Sequence, residues 1–176
     1  MAKKVLFILM PEQFQDFEFN VPYQTLVKKG YTVDVAGLRE GEAVGNMGLT
    51  HTPNLQLAHL KPADFDTYDI LVIPGGPGST TYLWGNKTVL DTARYFHTNK
   101  KWVAAICYGA MVPAEAGITK QATVYPSDEA KEKFKAYGVT FVDQGVFVDD
   151  AHHIITSQGP TYARDFTKAI INALSR

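Results

Sequence analysis

Hydrophobic residues are grouped along this chain in short runs that are separated by polar stretches. Continuous apolar runs predict strands that are buried on both faces of a sheet, because a strand with one solvated face would alternate. Three such runs are KVLFILM (4–10), YDILVI (68–73) and WVAAIC (102–107), and YTVDVAG (31–37) is predicted to form a further strand, the second along the chain. Shorter strand candidates are VTFVD (139–143), VFVDD (146–150) and HIITS (153–157).

Helical patterns fill the spaces between these runs. Residues 19–29 carry Val21, Leu26 and Val27 at helical spacing and end at Gly30, a residue typical of helix C-termini. The last predicted helix, 160–174, has an apolar face of Phe166, Ile170, Ile171 and Leu174. Three further segments are predicted to be helical: 79–98, 109–117 and 128–136. The glycine-rich segment 40–53 is predicted to form turns or a short hairpin.

Strands that alternate with helices predict a mostly parallel sheet with helices on both faces, an α/β sandwich. The chain has 176 residues and no internal repeat or low-complexity tract, so we expect one domain spanning 1–176.

Charge and hydropathy exclude several partners. The formal net charge of -1 provides no basic surface for nucleic acid or anionic lipid. No apolar run approaches the roughly 20 residues of a membrane span, and the N-terminal run is too short for a signal peptide. We therefore expect no nucleic-acid or membrane partner, and a cytoplasmic location.

The single cysteine, Cys107, stands where a buried strand is predicted to enter a helix. The frame Ala105-Ile106-Cys107-Tyr108-Gly109 matches the nucleophile elbow G-x-S-x-G, with alanine for the first glycine. Helix N-termini favour anions, so this position predicts an exposed thiol with a lowered pKa. The alternative is a buried, inert cysteine, which is common in protein cores.

Two other segments bring candidate groups to the same predicted edge of the sheet, where ligands bind in such folds. Gly75 and Gly76 follow the third strand. They form either a tight turn, a phosphate cradle or, with the Tyr108 amide, an oxyanion pocket. Glu18 follows the first strand and, taken alone, is a solvated acid at a helix start. No cluster of metal ligands is found among the five histidines and the acids, so we expect no metal and no cofactor.

Five segments in this order resemble the ThiJ/PfpI superfamily, which includes deglycases, glyoxalase III-type proteins and intracellular proteases. They are FEFNVPYQTLVKKGYTVDVAGL (17–38), YDILVIPGG (68–76), VAAICYGAMVPAEAGI (103–118), ATVYP (122–126) and ITSQGPTYARDF (155–166). The resemblance covers nearly the whole chain.

The resemblance implies a flavodoxin-like three-layer sandwich that assembles as a homodimer or a higher homo-oligomer. It implies that Cys107 is the elbow nucleophile and that Glu18 is the acid whose protonated carboxyl group bonds the thiolate. It also implies that Gly75, Gly76 and Tyr108 line the oxyanion pocket through their backbone N–H groups.

The chain departs from the family at two positions. Tyr108 stands where the protease-like branch has histidine, and Tyr125 stands where the deglycase branch has histidine. A histidine base contributes typically ~10²–10⁴-fold to such reactions, so the departures argue against peptidase activity. We expect a small-molecule carbonyl substrate, a 2-oxoaldehyde that is converted without glutathione. The alternatives are a redox-sensing or chaperone protein that is oxidised at Cys107, and a cysteine peptidase.

Overall fold

A computed structural model describes residues 2–176 of the chain. Within this range strands and helices alternate, as the sequence predicts. The strands are β1 (Lys4–Leu9), β2 (Glu12–Phe14), β3 (Thr32–Gly37), β4 (Ala43–Gly45), β5 (Thr50–His51), β6 (Leu55–Gln56), β7 (Ile70–Ile73), β8 (Trp102–Ile106), β9 (Gln121–Ala122), β10 (Thr140–Phe141), β11 (Val146–Asp149) and β12 (Ile154–Ser157). The α-helices are α1 (Asp16–Lys28), α2 (Ser79–Tyr82), α3 (Lys87–Thr98), α4 (Met111–Glu115), α5 (Asp128–Ala136) and α6 (Ala163–Leu174). Short 3₁₀ helices span Leu57–His59, Pro62–Thr67, Cys107–Ala110 and Pro160–Tyr162.

Seven strands form the central sheet in the order β11-β12-β8-β7-β1-β3-β6. All neighbouring strands in it are parallel except β11, which pairs with β12 in the antiparallel direction. Helices α1 and α6 pack together on one face, and α3 and α4 pack together on the other, with α5 against α4. The predicted α/β sandwich with a mostly parallel sheet is thereby confirmed.

The continuous apolar runs lie at the centre of this sheet, as their composition predicts. Every residue from Val5 to Leu9 is at most 1 % exposed, and the whole of β7 and most of β8 are equally buried. Both faces of these strands are covered by helices, so neither face tolerates polar side chains.

Helix α1 differs from its prediction at its start and in its buried face. It begins at Asp16, three residues before the predicted start, because the Gln15 side chain accepts a hydrogen bond from the Glu18 N–H and caps the helix. Its buried face includes Phe19 and Leu26, whereas Val27 is 45 % exposed. Of the three predicted apolar positions, Leu26 is buried, Val21 is half-buried and Val27 is exposed, so the prediction is wrong at Val27.

The predicted helix 79–98 is two helices. Helix α2 ends at Tyr82, and α3 starts at Lys87 after Gly85 in the left-handed region (φ 70°). The Asn86 side chain caps α3 by accepting a hydrogen bond from the Val89 N–H at 3.2 Å. The predicted helix 109–117 likewise divides into a 3₁₀ turn from Cys107 and the short helix α4.

Two small sheets complete the fold. The glycine-rich segment 40–53 forms the predicted hairpin, in which β4 and β5 are antiparallel and β2 joins β4. Strand β10, the remnant of the predicted strand 139–143, pairs with β9. In residues 2–176 we find no helix long and apolar enough to cross a membrane.

Candidate active site

Three backbone segments meet at the carboxyl ends of β1, β7 and β8, and they pack too closely for side chains. A Cβ added to Gly75 would lie 2.6 Å from the Ile106 carbonyl oxygen, and one added to Gly109 would lie 2.8 Å from that of Ile73. A Cβ added to Gly76 would lie 2.4 Å from the Gln15 nitrogen. Glycine is required at these positions because backbone approaches backbone, which agrees with the tight-turn alternative for Gly75 and Gly76.

Backbone hydrogen bonds fasten two of these segments together. The Gln15 N–H donates to the Gly75 carbonyl at 2.8 Å, and the Gly78 N–H donates to the Gln13 carbonyl at 3.0 Å. The segment that leads into α1 is therefore held directly against the glycine-rich loop. Glu18 lies in the first turn of α1, so its position relative to that loop is fixed as well.

Cys107 occupies the predicted elbow. Strand β8 ends at Ile106 in extended conformation, and Cys107 has a φ of 60° before the 3₁₀ turn begins. A non-glycine residue in this left-handed region stores on the order of 1–3 kcal/mol of strain, which persists only where the surroundings enforce it. Here the close packing of β8 and the following turn around Gly75 and Gly109 holds Cys107 in this conformation.

The thiol is less accessible than the sequence predicts. Cys107 is only 8 % exposed, so the expectation of an exposed elbow side chain is wrong. The reason is the loop 75–78, which covers the elbow closely enough that a Cβ on Gly75 would lie 2.9 Å from the Cys107 Cβ.

Glu18 lies beside this thiol and is fully buried (0 % exposed). Its Oε1 accepts a hydrogen bond from the Gly75 N–H at 2.9 Å. Its Oε2 is buried and makes no hydrogen bond of ordinary geometry with any residue in 2–176. The interpretation of Glu18 as a solvated acid is therefore wrong, and the carboxyl group faces the thiol.

Burial raises the pKa of Glu18 to about 8. The Gly75 N–H and the neighbouring Cys107 thiol both lower this pKa, but burial outweighs them. The carboxyl group is therefore largely protonated at neutral pH, a state in which it can donate a proton.

The pKa of Cys107 is raised, contrary to the sequence prediction. Burial is the largest cause, and the negative charge of ionised Glu18 is the second. The N–H groups of Tyr108 and Gly76 lower this pKa, but their effect is smaller than that of burial. The contribution of Tyr108 is the one predicted for a turn that begins at the cysteine. The turn and α4 together are short, so their dipole is small. When Glu18 is protonated, its negative charge is absent and no longer raises the pKa of the Cys107 thiol.

The backbone amides of the predicted oxyanion pocket divide into two groups. The N–H groups of Gly76 and Tyr108 point to the Cys107 sulfur, whereas the Gly75 N–H is donated to Glu18. An anion formed at the sulfur would therefore meet the first two amides.

Aromatic rings surround Tyr108. The ring of Trp84 lies 5.0 Å away and that of Tyr125 5.5 Å away, measured between centroids. The Tyr108 hydroxyl donates to Ser127 Oγ at 2.7 Å. Sequence reasoning noted Tyr125 only as a departure from the family and missed Trp84 and Ser127. No local pattern links Trp84, between α2 and α3, to the elbow 23 residues later.

Histidine makes no hydrogen bond to Cys107 or Glu18 within residues 2–176. His51 packs against Phe19 and Tyr23, and His153 packs against Trp102 at the opposite end of β8. In the same part of the chain no three His, Cys, Asp or Glu side chains are grouped so as to hold a metal ion.

Comparisons with known proteins show which proteins this chain is similar to. The profile of the DJ-1/PfpI family matches residues 3–173. An uncharacterized protein of Methanocaldococcus jannaschii is 38% identical over 98% of this chain and 83% of its own length. A deglycase of Pyrococcus abyssi is 32% identical over 93% of this chain and 97% of its own. The structure of a ThiJ/PfpI domain protein from Brachyspira murdochii superimposes with a TM-score of 0.89 at 26% identity, covering 99% of this chain and 97% of that one.

Proposed function

The chain belongs to the DJ-1/PfpI family, and from this we propose that it converts 2-oxoaldehydes to 2-hydroxy acids without glutathione. Cys107 is the nucleophile in this proposal, and Glu18 moves the protons. The observation that supports it most directly is the buried Glu18 carboxyl group beside the thiol, with its pKa raised to about 8. The relative from Pyrococcus abyssi is named a deglycase, which supports an enzymatic role at the level of the family.

The reaction begins from the form of the pair that holds one proton, a Cys107 thiolate beside a neutral Glu18, which arises when the Cys107 thiol loses its proton to solvent. Because the pKa of Cys107 is raised, this is the minor form at neutral pH, and addition to the aldehyde draws it off. The sulfur adds to the aldehyde carbon, and the carbonyl oxygen receives the proton of Glu18 to give a hemithioacetal. The N–H groups of Gly76 and Tyr108, which face the sulfur, stabilise the negative charge that passes to this oxygen.

Glu18, now a carboxylate, removes the proton from the former aldehyde carbon and returns it to the adjacent carbon. The hydroxyl proton on the first carbon is transferred to the oxygen on the adjacent carbon, so that the first becomes a carbonyl and the second an alcohol. The first carbon is oxidised and the second is reduced, so no external oxidant is needed. The product is a thioester of the 2-hydroxy acid, which one water molecule hydrolyses to the acid and the free thiol. A carboxyl group whose pKa is close to the working pH can both donate and accept a proton, which suits these proton transfers.

Peptidase activity, the lowest-ranked alternative, is less well supported. Hydrolysis of a peptide needs a base that also protonates the leaving amine, usually histidine. Cys107 has no histidine partner among residues 2–176, and Tyr108 donates its hydroxyl to Ser127.

The test is to incubate the protein with methylglyoxal and to follow lactate formation. Wild type is expected to form lactate, and Cys107→Ala is expected to form none above the uncatalysed rate. Equal lactate formation by the two proteins would exclude the proposed reaction.

A redox role is the second candidate, because Oε2 of Glu18 is free to bond an oxidised sulfur. The chain has no second cysteine, so oxidation of Cys107 would stop at the sulfenic or sulfinic acid. Peroxide titration with mass spectrometry tests this. Stoichiometric oxidation of Cys107, with no turnover of methylglyoxal, would favour the sensor.

The assembly and location stay predictions. We expect a homodimer or a higher homo-oligomer, which light scattering after size-exclusion chromatography measures. We expect the protein in the cytoplasm, which fractionation of its native cells measures.

A further inference from the structure

The aromatic wall, which we define as Trp84, Tyr108 and Tyr125, adjoins the proposed nucleophile from two directions. Tyr108 follows Cys107 in the chain, and the Tyr125 N–H donates to the Cys107 carbonyl at 3.4 Å. The rings of Tyr108 and Tyr125 meet edge to face, with an interplanar angle of 89°. The reaction described above does not use these rings.

Two members of the wall are held rigidly. The Tyr108 hydroxyl is bonded to Ser127, and the Trp84 indole N–H donates to the Tyr108 carbonyl at 2.9 Å. The Lys133 ammonium group lies over the Trp84 ring, 5.2 Å from its centroid. The wall is therefore preorganised, and a ligand that packs against it does not have to order these side chains.

The third member, Tyr125, is open to a ligand. It is 47 % exposed and is, with Phe17 and Tyr137, one of three exposed aromatic residues in 2–176. The Tyr125 ring packs edge-on against Tyr108, and the position that a Cβ would take on Gly159 is 3.8 Å from it. Glycine at 159 thus leaves one side of this ring uncrowded.

We propose that the aromatic wall binds the substituent of the 2-oxoaldehyde and selects aryl-substituted substrates, such as phenylglyoxal, over methylglyoxal. This inference rests on the proposed function. Aromatic rings attract one another in stacked and edge-to-face arrangements beyond the effect of buried area, and a methyl group gains neither. The overall reaction is phenylglyoxal plus water to mandelate, with the aldehyde carbon oxidised and the ketone carbon reduced.

The kinetic test compares kcat/KM for phenylglyoxal and methylglyoxal, after subtraction of the rate of Cys107→Ala. Wild type is expected to prefer phenylglyoxal. Tyr125→Ala is expected to lower the ratio of the two kcat/KM values by about three- to tenfold, the range of one aromatic contact. Tyr137→Ala is the matched control, because Tyr137 is an exposed tyrosine (42 %) that follows α5. An unchanged ratio in Tyr125→Ala would overturn the inference and leave the proposed function intact.

A binding test separates the subsite from the chemistry. Mandelate and lactate are titrated by calorimetry into Cys107→Ala, which retains the wall but lacks the nucleophile. Mandelate is expected to bind more tightly, and Tyr125→Ala in the same background is expected to remove the difference. Mandelate preference without turnover of either aldehyde would support the subsite and refute the proposed function. Equal affinities for the two acids would refute the subsite.

Discussion

The two ends of strand β8 carry the same backbone conformation in opposite surroundings. Before the strand, Lys100 has a φ of 58° in an exposed turn, where His153 (also φ 58°) places its Nδ1 3.0 Å from the Lys100 carbonyl oxygen. After the strand, Cys107 has a φ of 60° but is nearly buried, beside an acid that is fully buried. At the end of β8 near Lys100, charged side chains are in contact with solvent or with an ion-pair partner, as Asp149 is with His152.

This comparison teaches that a left-handed residue does not by itself identify a site. Lys100 and His153 have the same conformation in turns that lie outside the candidate site. What distinguishes Cys107 is the combination of strain, burial and the neighbouring Glu18, whose Oε2 has no hydrogen-bond partner within 2–176. Perturbed titration at a strained position is a stronger indication of function than strain alone.

The largest expected effect is the loss of turnover in Glu18→Gln. Glutamine keeps the shape of the side chain and can accept from the Gly75 N–H, but it cannot carry a proton. We expect kcat for methylglyoxal to fall by roughly 10²–10⁴-fold, the range of general acid–base catalysis. Asp150→Asn is the control, since Asp150 is an exposed, ion-paired acid at the other end of β8. Wild-type turnover in Glu18→Gln would show that the two ends do not differ in chemistry.

The next effect is on stability, in Gly75→Ala. The added methyl group would lie 2.6 Å from the Ile106 carbonyl oxygen, so backbone must move. We expect the free energy of unfolding to fall by about 1–3 kcal/mol, the range for overpacking. Gly159→Ala, whose Cβ would have its nearest neighbour at 3.8 Å, is expected to change it far less. Urea unfolding measures both, and equal effects would contradict the close packing.

The raised pKa of Glu18 makes the free energy of unfolding depend on pH, with a smaller change for each pH unit. The folded protein holds this proton up to about pH 8, whereas the unfolded chain releases it near pH 4.5, the ordinary pKa of a glutamate side chain. Folding therefore binds a proton in this window, so the wild-type free energy of unfolding falls as pH rises from 5 to 8. The slope is at most about 1.4 kcal/mol per pH unit. Glu18→Gln lacks this contribution, and a difference between the two proteins that stays constant with pH would contradict it.

The smallest expected effect is at the exposed end of the strand. Lys100→Gly relieves a left-handed lysine whose side chain is exposed, so we expect the free energy of unfolding to rise by about 1 kcal/mol or less. Lys29→Gly is the control, because Lys29 ends α1 with an ordinary φ of -79° and should lose stability. Thermal unfolding distinguishes the two, and destabilisation by Lys100→Gly would mean that Lys100 holds no backbone strain that glycine relieves.

Much of the fold follows from the sequence, because continuous apolar runs and glycine stops report directly on buried strands and helix ends. The elbow frame around Cys107 is equally local, and its strained conformation was predictable. The burial of Glu18 was not, since its partner Gly75 is 57 positions away and nothing in spacing links them. The resemblance to a family pointed to Glu18, whereas local reasoning pointed away from it.

The pKa direction of Cys107 could not be predicted for a related reason. The sequence identifies the turn that supplies the Tyr108 amide and the loop that supplies the Gly76 amide, but the dominant cause is the burial of the thiol beneath that loop. Trp84 was missed because the break between α2 and α3, which brings it to Tyr108, depends on a cap and a glycine rather than on hydrophobic spacing.

The paired backbone hydrogen bonds between residues 13–15 and 75–78 have a consequence for directed evolution. They use no side chains, so substitutions in either segment that spare the glycines leave the link itself intact. Libraries that vary Trp84 and Tyr125 would then sample new substituent preferences on an unchanged reaction centre. Acquiring a new substrate would in this way be uncoupled from maintaining the proton carrier.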